Sequence, residues 1–138
     1  MHIKHLKKHT KQVKSKLSYH YPFSIIVALV IWVVCMIPIP ETPLDNVRFI
    51  DKWTHFAMYG TFTTVIWVEY ALHHTSISWR RLLIGGALLP ALMGGAVELA
   101  QAYLTTYRSG EWLDALCNSL GVLLGVVIGR LFIYIKNR

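Results

Sequence analysis

Apolar positions along the chain gather into four runs. They are PFSIIVALVIWVVCMIPI (residues 22–39), THFAMYGTFTTVIWVEYAL (54–72), LLIGGALLPALMGGAVELAQAY (82–103) and WLDALCNSLGVLLGVVIGRLFIYI (112–135). Each is close to the roughly 20 residues a helix needs to cross the hydrocarbon core of a bilayer. In lipid every backbone amide must be paired within its own segment, which makes helices the expected form. Glycines within the runs do not oppose this, being common in membrane helices. Pro90 is expected to kink the third helix. The pattern predicts an all-α membrane protein, a compact bundle of four transmembrane helices over residues 22–138, after a basic segment at 1–21.

Polar residues interrupt these runs in a regular way. In the fourth run Asp114, Asn118, Gly121, Gly125 and Gly129 recur at spacings that put them on one helical face. Gly121, Gly125 and Gly129 form a small-residue seam suited to close helix packing, so this face is expected to look into the bundle. In the third run Glu98 and Gln101 share a face with Gly94. At the start of the second, Asp51, His55 and Tyr59 share another. Glu98 lies about 9 Å inside the end of its helix at 1.5 Å per residue. His55, Tyr59 and Asn118 lie at comparable depths, so three helices are expected to bring polar groups to one level.

Charge adds an orientation. Of the 14 Lys and Arg, six lie before Pro22; Arg80, Arg81, Arg130, Lys136 and Arg138 join them on one side, leaving Arg48, Lys52 and Arg108 on the other. Basic loops stay in the cytoplasm. Both termini are therefore expected to be cytoplasmic and the polar level to face outward. Composition agrees with the class: 54% of the 138 residues are hydrophobic and 15% charged, unlike a soluble domain. The opening MHIKHLKKHTKQVKSKLSYHY reads as a topology signal, or as an amphipathic helix on anionic lipid with Ile3, Leu6, Val13 and Leu17 on one side. No small-residue cleavage site follows the first run, so removal as a signal peptide is not expected. No recognition fold accompanies the basic tail, and nucleic acid is not an expected partner. Cys35 and Cys117 read as two thiols, with a disulfide the alternative.

The second and fourth helices both begin at the polar level, where their amino-terminal dipoles add positive potential. Lys52, Arg108 and a protonated His55 would add more, favouring an anionic headgroup such as a phosphate or pyrophosphate. Asp51, Glu98 and Asp114 would orient these cations. As a metal signal they are weak, and neither a metal nor a cofactor is expected. The competing account is a structural charge network. There Glu98 pairs with Lys52, His55 or Arg108, Asp51 and Asp114 cap their helices, and Trp53 and Trp112 anchor at the interface.

The ordered set DKWTHFAMYG and ELAQAY…RSGEWLDALCNSLG resembles the VanZ-like membrane proteins. Their pattern is an Asp-Lys-x-x-His-Phe helix start, a Glu-x-x-Gln helix end, then an Arg, an Asp and Asn-x-x-Gly. Here these are Asp51, Lys52, His55, Phe56, Glu98, Gln101, Arg108, Asp114, Asn118 and Gly121. The stretch AYLTTYRSG departs from relatives that approach the Arg through Phe, Pro and Gly. The resemblance implies a role of the teicoplanin-resistance type at the cell envelope, with membrane lipids and a lipid-linked cell-wall precursor or lipoglycopeptide as partners. Three functions stay open: a binding factor using Asp51, Lys52, His55, Tyr59, Glu98, Gln101, Arg108, Asp114 and Asn118; a small membrane enzyme acting on a lipid headgroup, with His55 or Glu98 as acid or base; and a proton-coupled transporter using Glu98, for which a homo-oligomer would supply the missing repeat.

Overall fold

The structure, a computed structural model, describes residues 20–38, 40 and 42–138. The reading of residues 1–21 as a basic, amphipathic segment lies outside these except at His20 and Tyr21. The described residues form four helices and no strand: α1 (Pro22–Met36), α2 (Ile50–His73), α3 (Trp79–Leu104) and α4 (Trp112–Lys136), with a 3-10 turn (Pro43–Asn46) before α2. Successive helices run antiparallel, so His20 and Arg138 lie at one end of the bundle. His20 packs edge-on against His73, and Lys136 bonds the Ala71 carbonyl.

The helix boundaries follow local chemistry. α1 stops at Met36 rather than running to residue 39, because Pro38 drives the residue before it out of helical space: Ile37 is extended at ψ 148°. α2 and α3 begin earlier than their apolar runs, at Ile50 and Trp79. Within α3, the segment Ile84–Leu88 widens to a π-helix just before Pro90. Pro90 has no N–H to offer the Gly86 carbonyl four positions back, and its ring crowds that oxygen. The Trp67 indole takes the vacant place, donating to the Gly86 oxygen at 3.0 Å. Pro90 thus produces a local widening, and Trp67 satisfies the carbonyl it strands.

α2 is the central helix, and its largest interface is with α4. That interface depends on α4 lacking side chains along one line. A Cβ on Gly125 would come 2.6 Å from Thr63 Cβ and 2.7 Å from the Gly60 oxygen, while Gly121 faces the Phe56 carbonyl and Gly129 the Trp67 ring. The interior mixes an apolar core, with Ile31, Tyr59, Trp67, Val97 and Val122, with polar side chains, and the exterior is apolar. His55, Thr63, Glu69, Glu98, Gln101, Asp114 and Asn118 are buried, while Leu92, Leu99, Leu123 and Val127 stand outside, each more than 60% exposed. Such an apolar exterior suits lipid. By length and composition α3 and α4 are apolar enough to cross a membrane. α1 is short at 15 residues, and α2 is more polar because most of its faces meet other helices.

Candidate functional site

The polar residues of α2, α3 and α4 converge at the bundle end away from the chain termini. Phe49, in the left-handed region at φ 61°, turns the chain into α2 and sets Asp51 in its first turn. One turn on, the His55 side chain is buried between α3 and α4. Its Nδ1 is 2.9 Å from Asn118 Oδ1 and 3.5 Å from Glu98 Oε1. Asn118 turns its amide nitrogen toward Glu98, at 3.5 Å, so its oxygen faces the imidazole. An oxygen there accepts from Nδ1–H, which leaves Nε2 as the nitrogen not engaged by Asn118. Nε2 points toward Asp51 Oδ1, 3.8 Å away.

The loop after α3 folds back over that helix. Gly110 lies so close to the Glu98 backbone carbonyl that a Cβ has no room. The approach brings the Glu111 N–H to Glu98 Oε2 at 3.2 Å. The same loop carries Arg108 to α2, where Nη2 meets Asp51 Oδ1 at 2.8 Å. Lys52 bridges Glu111 at 2.6 Å and Asp114 at 3.0 Å. Lying just before the apolar run of α2, its ammonium is held above the ordinary lysine pKa, mainly by the Glu111 hydrogen bond, with Asp114 adding and partial burial opposing.

These contacts correct several pairings. Arg108 is the partner of Asp51, not of Glu98. Neither Asp51 nor Asp114 is a helix cap: the N-cap positions are Phe49 and Glu111, and neither side chain makes a capping bond. Asp114 serves Lys52 instead. Gln101 is buried and donates to the Cys35 carbonyl at 2.9 Å, tying α3 to the last turn of α1. Tyr59 is fully buried one turn below His55, edge-on to Phe62; its hydroxyl and that of Thr63 find no hydrogen-bond partner among the described residues. Both cysteines are free thiols. Glu111 was missed as a site residue. Its position just before α4 was the available signal, three residues ahead of Asp114.

An open cavity of about 400 Å³ lies beside the cluster, lined by Asp51, His55 and Arg108 together with Cys35, Tyr107 and Thr42. Tyr107 fixes one wall by donating to the Met36 carbonyl. Lys52, Glu98, Asp114 and Asn118 stand behind this lining and hold it. Asp51, His55 and Asp114 are the residues that could hold a metal ion, with one ligand atom of each within 4.8 Å of the others. Both carboxylates already meet a cation, so Arg108 and Lys52 stand where a divalent ion would compete.

The family model described as VanZ/LLP1 matches residues 2–133 of the chain. No curated protein and no solved structure matches it.

Proposed function

The chain belongs to the VanZ/LLP1 family, and from that premise and the geometry above we propose that it binds an anionic amphiphile of the cell envelope at the cavity lined by Asp51, His55 and Arg108. All four helices then cross the bacterial cytoplasmic membrane, both termini are cytoplasmic, and the cavity opens outward. The charge distribution supports this orientation: Arg80, Arg81, Arg130, Lys136 and Arg138 lie at the end opposite the cavity.

The observation that carries the reading is the position of Arg108. Its guanidinium lines an open cavity at the edge of an apolar bundle, held in place by Asp51. A guanidinium fork recognises a phosphate by paired hydrogen bonds. Asp51 occupies Nη2 and fixes its direction, and a diphosphate, carrying more negative charge than one carboxylate, competes for the fork. The apolar neighbours Val34, Leu44, Ile50 and Met58 suit the chain of an amphiphile. A lipid-linked cell-wall precursor and a lipoglycopeptide both present an anionic group beside an apolar one. Retention of a polyprenyl diphosphate by the purified protein, and its loss in Arg108→Ala, tests the proposal.

One observation favours a second reading, a membrane enzyme acting on a lipid headgroup. His55 is oriented by Asn118 and Glu98 and lines the cavity with its Nε2 toward Asp51, the placement an acid–base residue needs. Product analysis after incubation with a lipid diphosphate separates the two: release of phosphate that disappears in His55→Gln supports the enzyme, and unchanged lipid supports binding.

A further inference from the structure

A second groove, of about 560 Å³, opens at the other end of the bundle between α1, α2 and the first half of α3. We propose that it holds an acyl chain of an anionic phospholipid from the cytoplasmic leaflet, with Arg81 receiving the headgroup.

The wall is apolar: Ile25, Ala28, Phe62, Ile66, Leu89 and Met93 supply most of it. From Arg81 to Met93 the groove follows twelve residues of α3, about 18 Å at 1.5 Å per residue. That is about the depth of one leaflet, half of a core roughly 30 Å thick. The π segment makes the room. Gly86 presses on Trp67, whereas a Cβ on its neighbour Gly85 would meet nothing within 4 Å, and Gly85 lines the groove. π-bulges of this kind concentrate at functional sites.

Charge selects the occupant. Arg81 is exposed at the mouth beside His74, whose ring is stacked on Tyr70 at 4.1 Å, and Arg81 forms no ion pair among the described residues. Arg80, Arg130, Lys136 and Arg138 share this end of the bundle. The one acid described there is Glu69, and both of its carboxylate oxygens are engaged by the start of α1. A cationic mouth above an apolar slot is complementary to an anionic lipid.

The test is native mass spectrometry of the full chain released from detergent micelles containing phosphatidylglycerol or phosphatidylcholine of equal chain length. The expected result is at least tenfold preferential retention of phosphatidylglycerol by the wild type. Arg81→Gln should lose the preference. Gly85→Leu, which fills open space, should lose retention of both lipids. Equal retention of the two lipids by the wild type, no retention by it, or unchanged retention in Arg81→Gln would overturn the proposal. Arg81 is a surface residue, so its variant decides even if Gly85→Leu lowers stability. The outer cavity is also proposed to favour anionic amphiphiles, so Arg108→Ala is measured alongside. A preference for phosphatidylglycerol lost there and kept in Arg81→Gln would place the lipid in the outer cavity and overturn the proposal.

Discussion

Glu69, near the end of α2, caps the start of α1 from across the bundle. Its two carboxylate oxygens accept the backbone N–H groups of Phe23 and Ser24, each at 2.9 Å, and the Ser24 hydroxyl adds a third bond. The N-cap residue Tyr21 makes no side-chain cap of its own. A buried carboxylate is costly unless it is fully hydrogen-bonded, and a helix amino terminus supplies both donors and favourable dipole. Glu69→Gln turns one acceptor into a donor facing an N–H. It should cost about 1.5–3 kcal/mol, the range for hydrogen bonds to charged groups, seen as a lower midpoint of thermal unfolding in detergent. An unchanged midpoint would mean that water caps α1.

The α2–α4 seam predicts a second effect. Gly125→Leu forces a branched side chain against Thr63 and the Gly60 carbonyl, at an overpacking cost of about 1–3 kcal/mol or more. Size-exclusion profiles and melting curves should both deteriorate. Leu124→Ala, on the exposed face next to it, serves as the control and should change neither much.

Trp67 and Pro90 predict a compensating pair. Trp67→Phe removes the donor to the Gly86 carbonyl, leaving a buried acceptor unsatisfied at about 1–3 kcal/mol. Pro90→Ala restores a backbone N–H in the same helix. The double variant should therefore recover part of the stability lost in Trp67→Phe, as measured by thermal unfolding. Effects of Trp67→Phe and Pro90→Ala that simply add, with no recovery in the double variant, would contradict a shared role at the Gly86 carbonyl.

What was legible in the sequence was what helical periodicity carries. The face holding Asp114, Asn118, Gly121, Gly125 and Gly129 follows from spacing alone, because residues on one helix cannot change their relative direction. The convergence of His55, Glu98 and Asn118 followed from equal depths. Partners across loops were not legible. Whether Arg108 meets Glu98 or Asp51 depends on how the loop crosses α3 at Gly110 and how Phe49 turns the chain into α2, and neither has a periodic signal. Glu69 reaches the backbone N–H of Phe23, 46 residues earlier in the chain. Tyr59 shares the face of Asp51 and His55 yet is fully buried in the core and does not line the cavity, whereas its neighbour Met58 does.

The proposed orientation predicts accessibility. A cysteine introduced at Thr42 or Thr106 should react with a membrane-impermeant maleimide added to intact cells, and one at Ser76 only after lysis. Reaction at Ser76 from outside would reverse the orientation and move the cavity to the cytoplasm.

The central claim is that Arg108 binds an anionic ligand rather than merely neutralising Asp51. The direct measurement is the affinity of the purified protein for a short-chain polyprenyl diphosphate in wild type, Arg108→Lys, Arg108→Ala and Arg108→Ala with Asp51→Asn. A ligand-binding guanidinium predicts at least a tenfold loss in Arg108→Lys, about 1.4 kcal/mol, and at least as large a loss in Arg108→Ala. It also predicts no recovery in the double variant, although no charge is left unpaired there. Affinity restored by Asp51→Asn, or equal affinity in all four proteins, would contradict it and leave the Asp51–Arg108 pair as a strut of the fold.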